Sequence, residues 1–499
     1  MNDLLPFGAG AWVFIAAYLC SLLLLGWIGY RARREDTLQD FYLAGRGFGI
    51  IVLFLTLYAT QYSGNSVFGV AGATYRAGFA WLIAVHYMLA IIVFYLTFAP
   101  KLHALARERS FVTPVDYLRH RYGSEAICLI ASIVMILALS NYLLAQLMTM
   151  GRAMQGLAGA YGDIAYDYGV VALTLIMVIY GTLGGIRAIA WTDVIQGAVL
   201  MAGFFILILL LRVEFGPLSQ ATDTVLASAD AQKIARPAHS MLREWLSYIL
   251  VIGMGAALYP QAIQRIYAAR SQRALSRSLA IMAFLPFGTA LIAVVAGIYA
   301  LAYVPGLEGA ATDQVLSRLL RIIQERSFFG YAFVVVIFSA ILAALMSTAD
   351  SAMLSISSMF TKDIYGTHIR KNAVEAVLTR VGKRCSWGVV CVLAALAIAL
   401  KDQASLITLI DRKFDLLVQL VPAFMVGIHW RGLRAGPTLT GMISGLAIAI
   451  ALAFGPFDFV VGGKVWGFHP GIFGLVANAT IAIGGSLRPI RQASVALAD

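Results

Sequence analysis

The chain has 499 residues, 61% of them hydrophobic and only 12% charged, with a mean hydropathy of +0.83. A soluble domain carries roughly a quarter charged residues, so this composition excludes an ordinary soluble enzyme or binding module. The net charge of +12 is accounted for by membrane topology and attraction to anionic headgroups, and no nucleic-acid partner is expected.

Apolar runs of about 20 residues, enough to cross a ~30 Å hydrocarbon layer, recur along the whole length. They predict an all-α polytopic membrane protein with thirteen spans, near 10–30, 48–74, 80–100, 125–150, 167–186, 189–212, 243–268, 277–304, 328–359, 385–401, 404–429, 437–455 and 470–487. With the N-terminus outside, the inner loops hold 24 of the 37 Lys and Arg, Arg46, Arg187 and Arg265 among them. Eleven fall outside, and Arg412 and Lys413 lie within a span. The cytoplasmic excess predicts N-out and C-in.

The first span is too long, and lacks the basic n-region, for a cleaved signal peptide. The second contains "LYATQYSGNSVFGVAGATY" (57–75), which places Thr60, Gln61, Tyr62, Ser63, Gly64, Asn65 and Ser66 in succession at mid-membrane depth. A continuous helix would turn those polar groups towards lipid on every side. An unwound segment lining a cavity is predicted instead, since irregular backbone is tolerated at that depth only beside protein or water. Asp193 stands near the cytoplasmic start of span six, where an acid is costly and usually functional or paired.

The outside loop over 213–242 has room for a short helix, and "DQVLSRLLRIIQERS" (313–327) repeats Leu and Ile at helical spacing, as an amphipathic interfacial helix would. Between them, span seven carries "GMGAALYPQAIQRIYAAR" (253–270). Pro260 removes a helix hydrogen bond there. Two interrupted helices, five spans apart, point to an inverted-repeat secondary transporter with its site at the midplane.

Span nine ends in "ILAALMSTADSAMLSISSMFTKDIY" (341–365). At about 100° per residue, Ala344, Ser347, Thr348, Ser351, Ser355 and Ser358 form one stripe, which predicts a lined cavity. Asp350 points off that stripe and is expected to bond a neighbouring helix. Hydroxyls and carbonyls without Cys or His suit a hard cation, and the scarcity of carboxylates favours Na⁺ over Ca²⁺. In span eleven, Asp411, Arg412, Lys413 and Asp415 in "LITLIDRKFDLLVQLVP" are expected to pair with one another. The four cysteines are expected to be apolar filler and the seven scattered histidines are not expected to be metal ligands. No nucleophile–base constellation or phosphate loop marks an enzyme, and no fused sensor domain is expected.

Five segments carry a resemblance: "FYLAGRGFG" (41–49), "YATQYSGNSVFGVAGATYRAG" (58–78), "YGTLGGIRAIAWTDVIQG" (180–197), "YPQAIQRIYAA" (259–269) and "AALMSTADSAMLSISSMFTKDIY" (343–365). In this order they resemble the sodium:solute symporter family, whose members carry proline, sugars, sialic acid, pantothenate and monocarboxylates. The resemblance implies thirteen spans, N-out and C-in, around a LeuT-type core. That makes one transporter unit over 1–499: an extra helix at 10–30, a first repeat at 48–212, an inverted repeat at 243–429 and two final helices at 437–487. It also implies Na⁺ as coupling ion, bound by the carbonyls of Ala59, Tyr62 and Ala344 and the hydroxyls of Ser347 and Thr348. Asp193, faced by Ser351, would serve a second ion site or the release path. The solute would be bound by Gln61, Ser63, Gly64, Asn65, Tyr259, Gln261, Lys413 and Phe414.

Three departures bear on the solute. Gln61 replaces the acid of the proline-carrying branch, Gln261 replaces a frequent His, and "DRKFDLLVQLVP" replaces a Gly/Ala-rich run. The expected activity is Na⁺-coupled uptake of a small polar solute, with a small carboxylate of monocarboxylate or pantothenate type favoured. Amino-acid or sugar symport, proton coupling and a non-transporting solute sensor are the alternatives. The expected partners are the solute, Na⁺ and the bilayer of a bacterial inner membrane, with no obligate protein partner.

Overall fold

A computed structural model of the chain describes residues 9–32, 37–157, 162–237, 241–326, 328–371, 373–401 and 406–487. The helices in the first half are α1 (Ala9–Arg31), α2 (Leu38–Leu43), α3 (Ile50–Gln61), α4 (Gly64–Ala77), α5 (Ile83–Arg109), α6 (Pro114–Tyr122), α7 (Glu125–Leu157), α8 (Gly162–Phe215) and α9 (Leu218–Leu226). There follow α10 (Met241–Ala257), α11 (Pro260–Ala268), α12 (Gln272–Met282), α13 (Leu285–Gly288), α14 (Ala290–Tyr303), α15 (Val315–Arg326) and α16 (Phe328–Met359). The last are α17 (Glu375–Ala399), α18 (Leu406–Leu417), α19 (Gly427–His429), α20 (Ala435–Phe454) and α21 (Pro470–Leu487). A hairpin of β1 (Val460–Val461) and β2 (Lys464–Val465) turns between α20 and α21. Its corner is Gly462–Gly463, both at positive φ (57° and 74°), as a two-residue hairpin turn requires.

The thirteen predicted stretches fall largely on these helices. Among the described residues nine helices are long and apolar enough to cross a membrane alone, or ten when α10 and α11 count as one bent span. That number is below thirteen because α4 continues into α5, α8 passes through a bend at Gly185 as one helix, and the 404–429 stretch is divided among shorter pieces, α18 and α19 among them. Large apolar side chains such as Phe205, Val213, Phe284 and Val392 are exposed on the outer surface. In water they would be an anomaly; against lipid they are the solvated face. Helix α16 runs through the interior against α8, α7 and α3, and α18 packs on α7 and α10.

Two breaks position the site. Between α3 and α4 only Tyr62 and Ser63 leave helical geometry, Tyr62 with φ −100° and ψ 81°. The break is therefore shorter than the predicted run of 60–66, because helical hydrogen bonding resumes at once with the Val67 amide on the Ser63 carbonyl. Between α10 and α11 the axis turns by 49° at Leu258–Tyr259. Pro260 occupies the first turn of α11, where its missing N–H costs nothing.

The short helix expected in 213–242 is α9, and the helix expected over 313–327 is α15. The apolar face of α15, through Leu316, Leu319, Leu320 and Ile323, is buried against α16, α14 and α4, so protein rather than lipid headgroups covers it.

Gly185 has φ 60° and ψ −156°, a conformation essentially restricted to glycine, and a Cβ there would lie 2.7 Å from the Phe41 carbonyl oxygen. Gly185→Ala is expected to cost about 1–3 kcal/mol and to lower the thermal unfolding midpoint of the purified protein. Gly388→Ala in α17, whose Cβ would meet nothing within 4 Å, should not lower the midpoint and should raise it slightly.

Candidate functional site

Because α3 ends at Gln61, the helical partner of the Ala59 carbonyl would be the N–H of Ser63, which lies in the break. The carbonyl oxygen turns instead to α16. Thr348 Oγ1 lies 2.9 Å from both the Ala59 and the Ala344 carbonyl oxygens, and Ser347 Oγ lies 3.4 Å and 3.2 Å from the same two. Both side chains are fully buried. Four of the five proposed ion-binding residues thus present their oxygens in one cluster between α3 and α16, and Tyr62 caps the end of α3 beside it. The cluster consists of uncharged oxygens, the donor type that suits a hard monovalent cation.

One turn further along α16, Ser351 donates to the Ser347 carbonyl (2.7 Å) and reaches Asp350 Oδ1 at 3.1 Å. Asp193 on α8 is fully buried and accepts from Thr56 Oγ1 and from Arg265 (2.8 Å). The same Arg265 nitrogen lies 2.6 Å from Ser351 Oγ, while Nε donates to Thr56 (2.7 Å) and the remaining nitrogen to the Gln261 carbonyl (3.1 Å). Asp193 and Ser351 are therefore brought together, but through a guanidinium that the sequence reading counted among loop cations. Arg265 is fully buried because it sits in the last full turn of α11, inside the bundle. Asp350 accepts from Tyr180 of α8 at 2.6 Å, as its position off the stripe suggested.

The inner part of the stripe does not line open space. Ser355 donates to Gln264 Oε1 and Gln264 Nε2 donates to Ser358, both at 2.6 Å, so α11 packs directly on it. Helix α11 supplies a complementary amide and guanidinium from two consecutive residues, Gln264 and Arg265, and this closes what the stripe alone suggested was a cavity.

On the other side of the ion cluster lies a cavity of about 390 Å³, including its opening. Gln61, Ser63, Tyr259, Lys413 and Phe414 line it, together with Tyr87, Met88, Tyr142 and Ile252, which the sequence reading did not single out. Gln61 donates to the Tyr95 hydroxyl. Lys413 is buried, with its ammonium 3.7 Å from the Tyr142 ring centre, 4.9 Å from Phe414 and 5.5 Å from Tyr259. Among the described residues no carboxylate lies within ion-pair distance of it. The expected pairing within the span-eleven quartet is confined to Arg412–Asp415 (3.3 Å); Asp411 pairs instead with Lys464 beyond β1 (2.8 Å). Successive residues on a helix diverge by about 100°: Lys413 and Phe414 face the cavity, while Asp411 and Arg412 turn towards the β1–β2 hairpin.

Gln261 is not among the cavity residues. It is fully buried in the first turn of α11, with both side-chain amide atoms lacking a partner among the described residues. The side chains of Gly64 and Asn65 lie outside the described residues. Tyr142 was missed because one Tyr in an apolar span carries no periodic signal.

The sodium:solute symporter family profile matches residues 41–445. The chain belongs to the sodium:solute symporter family. It is therefore a membrane transporter rather than an enzyme, and it couples solute movement to Na⁺. The chain is 28% identical over 502 residues to the sodium/pantothenate symporter of Escherichia coli, covering 97% of this chain and 98% of that protein. It is 25% identical over 443 residues to the osmoregulated proline transporter of Bacillus subtilis, covering 88% and 87%. Among solved structures, an outward-open, substrate-bound Na⁺-coupled sialic acid symporter shares the fold, with a TM-score of 0.77 at 20% identity over 96% of this chain and 98% of that one.

Removing one partner of a buried ion pair leaves the other uncompensated, at about 3–5 kcal/mol. Arg265→Gln should therefore lower the thermal unfolding midpoint strongly, and adding Asp193→Asn should restore much of the loss. A double variant as unstable as Arg265→Gln alone would show that Arg265 does not act through Asp193.

Proposed function

We propose that this symporter takes up a small organic carboxylate with Na⁺, across a bacterial inner membrane. The observation that carries the solute class is Lys413: a buried ammonium in an aromatic cage, on a cavity whose lining includes no acid. Gln61 and Ser63 would orient the polar end of the solute, while Tyr259, Phe414, Tyr142 and Ile252 would cover its apolar body. An amino acid would bring an ammonium group as well, and no carboxylate lines the cavity to pair with it. That favours a monocarboxylate or pantothenate-like solute over a zwitterion. The relatives support proline equally as a second reading, since several of them, at 23–26% identity, are proline transporters.

Sodium would bind at Ala59, Tyr62, Ala344, Ser347 and Thr348. The two hydroxyls would swing their protons off the carbonyls and add lone pairs, giving five oxygens around the ion. This would clamp α3 to α16 and fix the end of α3 from which Gln61 and Ser63 reach the solute. Asp193 and Ser351, with Arg265, would lie on the inward release path or form a second ion site. The supporting frame is thirteen spans, N-out and C-in, with residues 48–212 and 243–429 as inverted repeats between the extra helices at 10–30 and 437–487. An ion drives such a cycle only through its different affinity for the two states.

Ser347→Ala and Thr348→Ala are each expected to raise the half-saturating Na⁺ about tenfold, equivalent to about 1.4 kcal/mol, in proteoliposome uptake under an imposed Na⁺ gradient. Unaltered Na⁺ dependence in both variants would overturn the ion site. Labelled pantothenate, propionate and proline, tested in parallel, decide the solute. Lys413→Gln should weaken carboxylate uptake about tenfold or more; Na⁺-driven proline uptake indifferent to Lys413→Gln would establish the second reading.

A further inference from the structure

Helix α12 presents two unlike sides. Ala274, Leu275, Ser278, Leu279 and Met282 are buried, and Ser278 donates to the Ile50 carbonyl of α3 (3.1 Å). The outward residues follow at spacings of three and four: Arg270, Arg273, Arg277, Ile281, Phe284 and Phe287, all exposed. The first three are guanidinium and the last three hydrocarbon, with Phe284 75% and Phe287 54% exposed. Phe287 belongs to the apolar stretch Leu285–Tyr303, which is long enough to cross a membrane, so the arginines lie just beyond the end of a span.

A second span ends at the same corner. Arg107, in the last turn of α5, is exposed and donates to the Arg270 carbonyl (2.5 Å). Buried Arg46 adds to the positive charge, held by the Ala106 and Phe111 carbonyls at the end of α5 (2.7 and 3.0 Å). Among the described residues no carboxylate lies within ion-pair distance of Arg107, Arg270, Arg273 or Arg277. The acids on adjoining segments are engaged elsewhere, Glu108 by Arg109 (3.1 Å) and Asp116 by Lys362 (2.5 Å). Other basic residues at this end of the bundle have carboxylates, as Arg187 has Asp40 (2.7 Å) and Arg119 has Glu125 (3.3 Å).

We infer that this corner binds an anionic phospholipid, its phosphate among Arg107, Arg270, Arg273 and Arg277 and an acyl chain along Ile281, Phe284 and Phe287. A phosphate accepts from several guanidinium groups at once, and hydrocarbon continuing the same line suits the tail of the same molecule. A soluble phosphate would fit only the first half. The corner also holds the end of α11. The Arg270 N–H donates to the Phe48 carbonyl (2.9 Å) and the Phe48 N–H to the Ala268 carbonyl (3.1 Å), which clips α11 to the segment before α3. A headgroup shared by Arg107 of α5 and the arginines of α12 steadies that clip, and with it the contacts of Gln264 and Arg265 with α16. The site depends on neither the solute reading nor the ion reading.

The test titrates purified full-length protein in detergent with dioleoylphosphatidylglycerol or dioleoylphosphatidylcholine and counts the lipid retained by native mass spectrometry. The anionic lipid should be retained about tenfold better. Arg273→Gln with Arg277→Gln should remove most of that preference, and Arg273→Lys with Arg277→Lys should keep most of it. Arg370→Gln with Lys371→Gln, which removes two exposed cations beyond α16, should leave the preference intact. Equal losses from the two Gln pairs would mean general attraction to basic segments and would overturn the site. Phe284→Ser should weaken retention of phosphatidylglycerol severalfold, and inorganic phosphate should not displace it. Displacement by inorganic phosphate together with indifference to Phe284→Ser would overturn the lipid in favour of a soluble anion. Phosphatidylglycerol should also raise the thermal unfolding midpoint of the unaltered protein but not of the Arg273→Gln, Arg277→Gln pair. A midpoint that it raises equally in both would overturn the hold on α11.

Discussion

A backbone carbonyl stripped of its helical partner inside a membrane protein must be given another one, because hydrocarbon supplies none. In this chain that constraint falls on Ala59. Ending α3 at Gln61 releases its carbonyl, and α16 answers with Ser347 and Thr348. The same break turns Gln61 and Ser63 towards the inner cavity, so a single interruption of two residues serves both the ion cluster and the solute cavity. The bend before Pro260 has a matching effect on α10 and α11. Ile252, Ala256 and Tyr259 reach the cavity from one side of the bend, and Gln264 and Arg265 reach α16 from the other.

Two of the buried charge arrangements differ in kind. Asp193 and Arg265 are fully buried and bonded to each other, with Thr56 and Ser351 completing their contacts. Such a pair is locally neutral, and its charges specify how α3, α8, α11 and α16 fit together. Lys413 is different. Burying an ammonium costs several kcal/mol, and cation–π contact returns about 2 kcal/mol when the ring faces are desolvated. The shortfall is largest when the cavity holds no anion and is relieved when a carboxylate enters. A solute that supplies the missing charge is therefore bound partly by the cost the protein already carries.

The all-helical, apolar character of the chain, both breaks and the oxygen pair on α16 were legible in the sequence, because hydropathy, proline and helical spacing are local signals. Arg265 was not legible. It lies five residues from Arg270 at the end of span seven and was counted with the loop cations, and only packing shows that α11 is still inside the bundle there. The Ser355–Ser358 part of the stripe was read as cavity lining because its complement, Gln264, belongs to a helix 91 residues away in sequence from Ser355. The quartet in span eleven misled for a related reason. Adjacent charges suggested mutual neutralisation, yet helical geometry sends Asp411 to Lys464 and Lys413 to the aromatic cage. Gln261 shares a helix with Arg265 but does not line the cavity.

Helix α16 is held at two places by different chemistry. Around Ser347 and Thr348 it meets α3 through hydroxyl–carbonyl contacts, and from one turn further along it meets α11 through Ser351, Ser355 and Ser358 against Arg265 and Gln264. In the proposed scheme the first contact tightens with Na⁺, while the second must part for inward release. Ser351 joins them, since it donates to the Ser347 carbonyl and also meets Arg265. Movement of α11 away from α16 therefore reaches the residue carrying one of the proposed ion-binding hydroxyls within one helical turn. Coupling of this kind needs no relay across the protein. It needs one rigid helix whose two contacts cannot both be optimal in both states, and the unbroken α16 between two broken partners has that form.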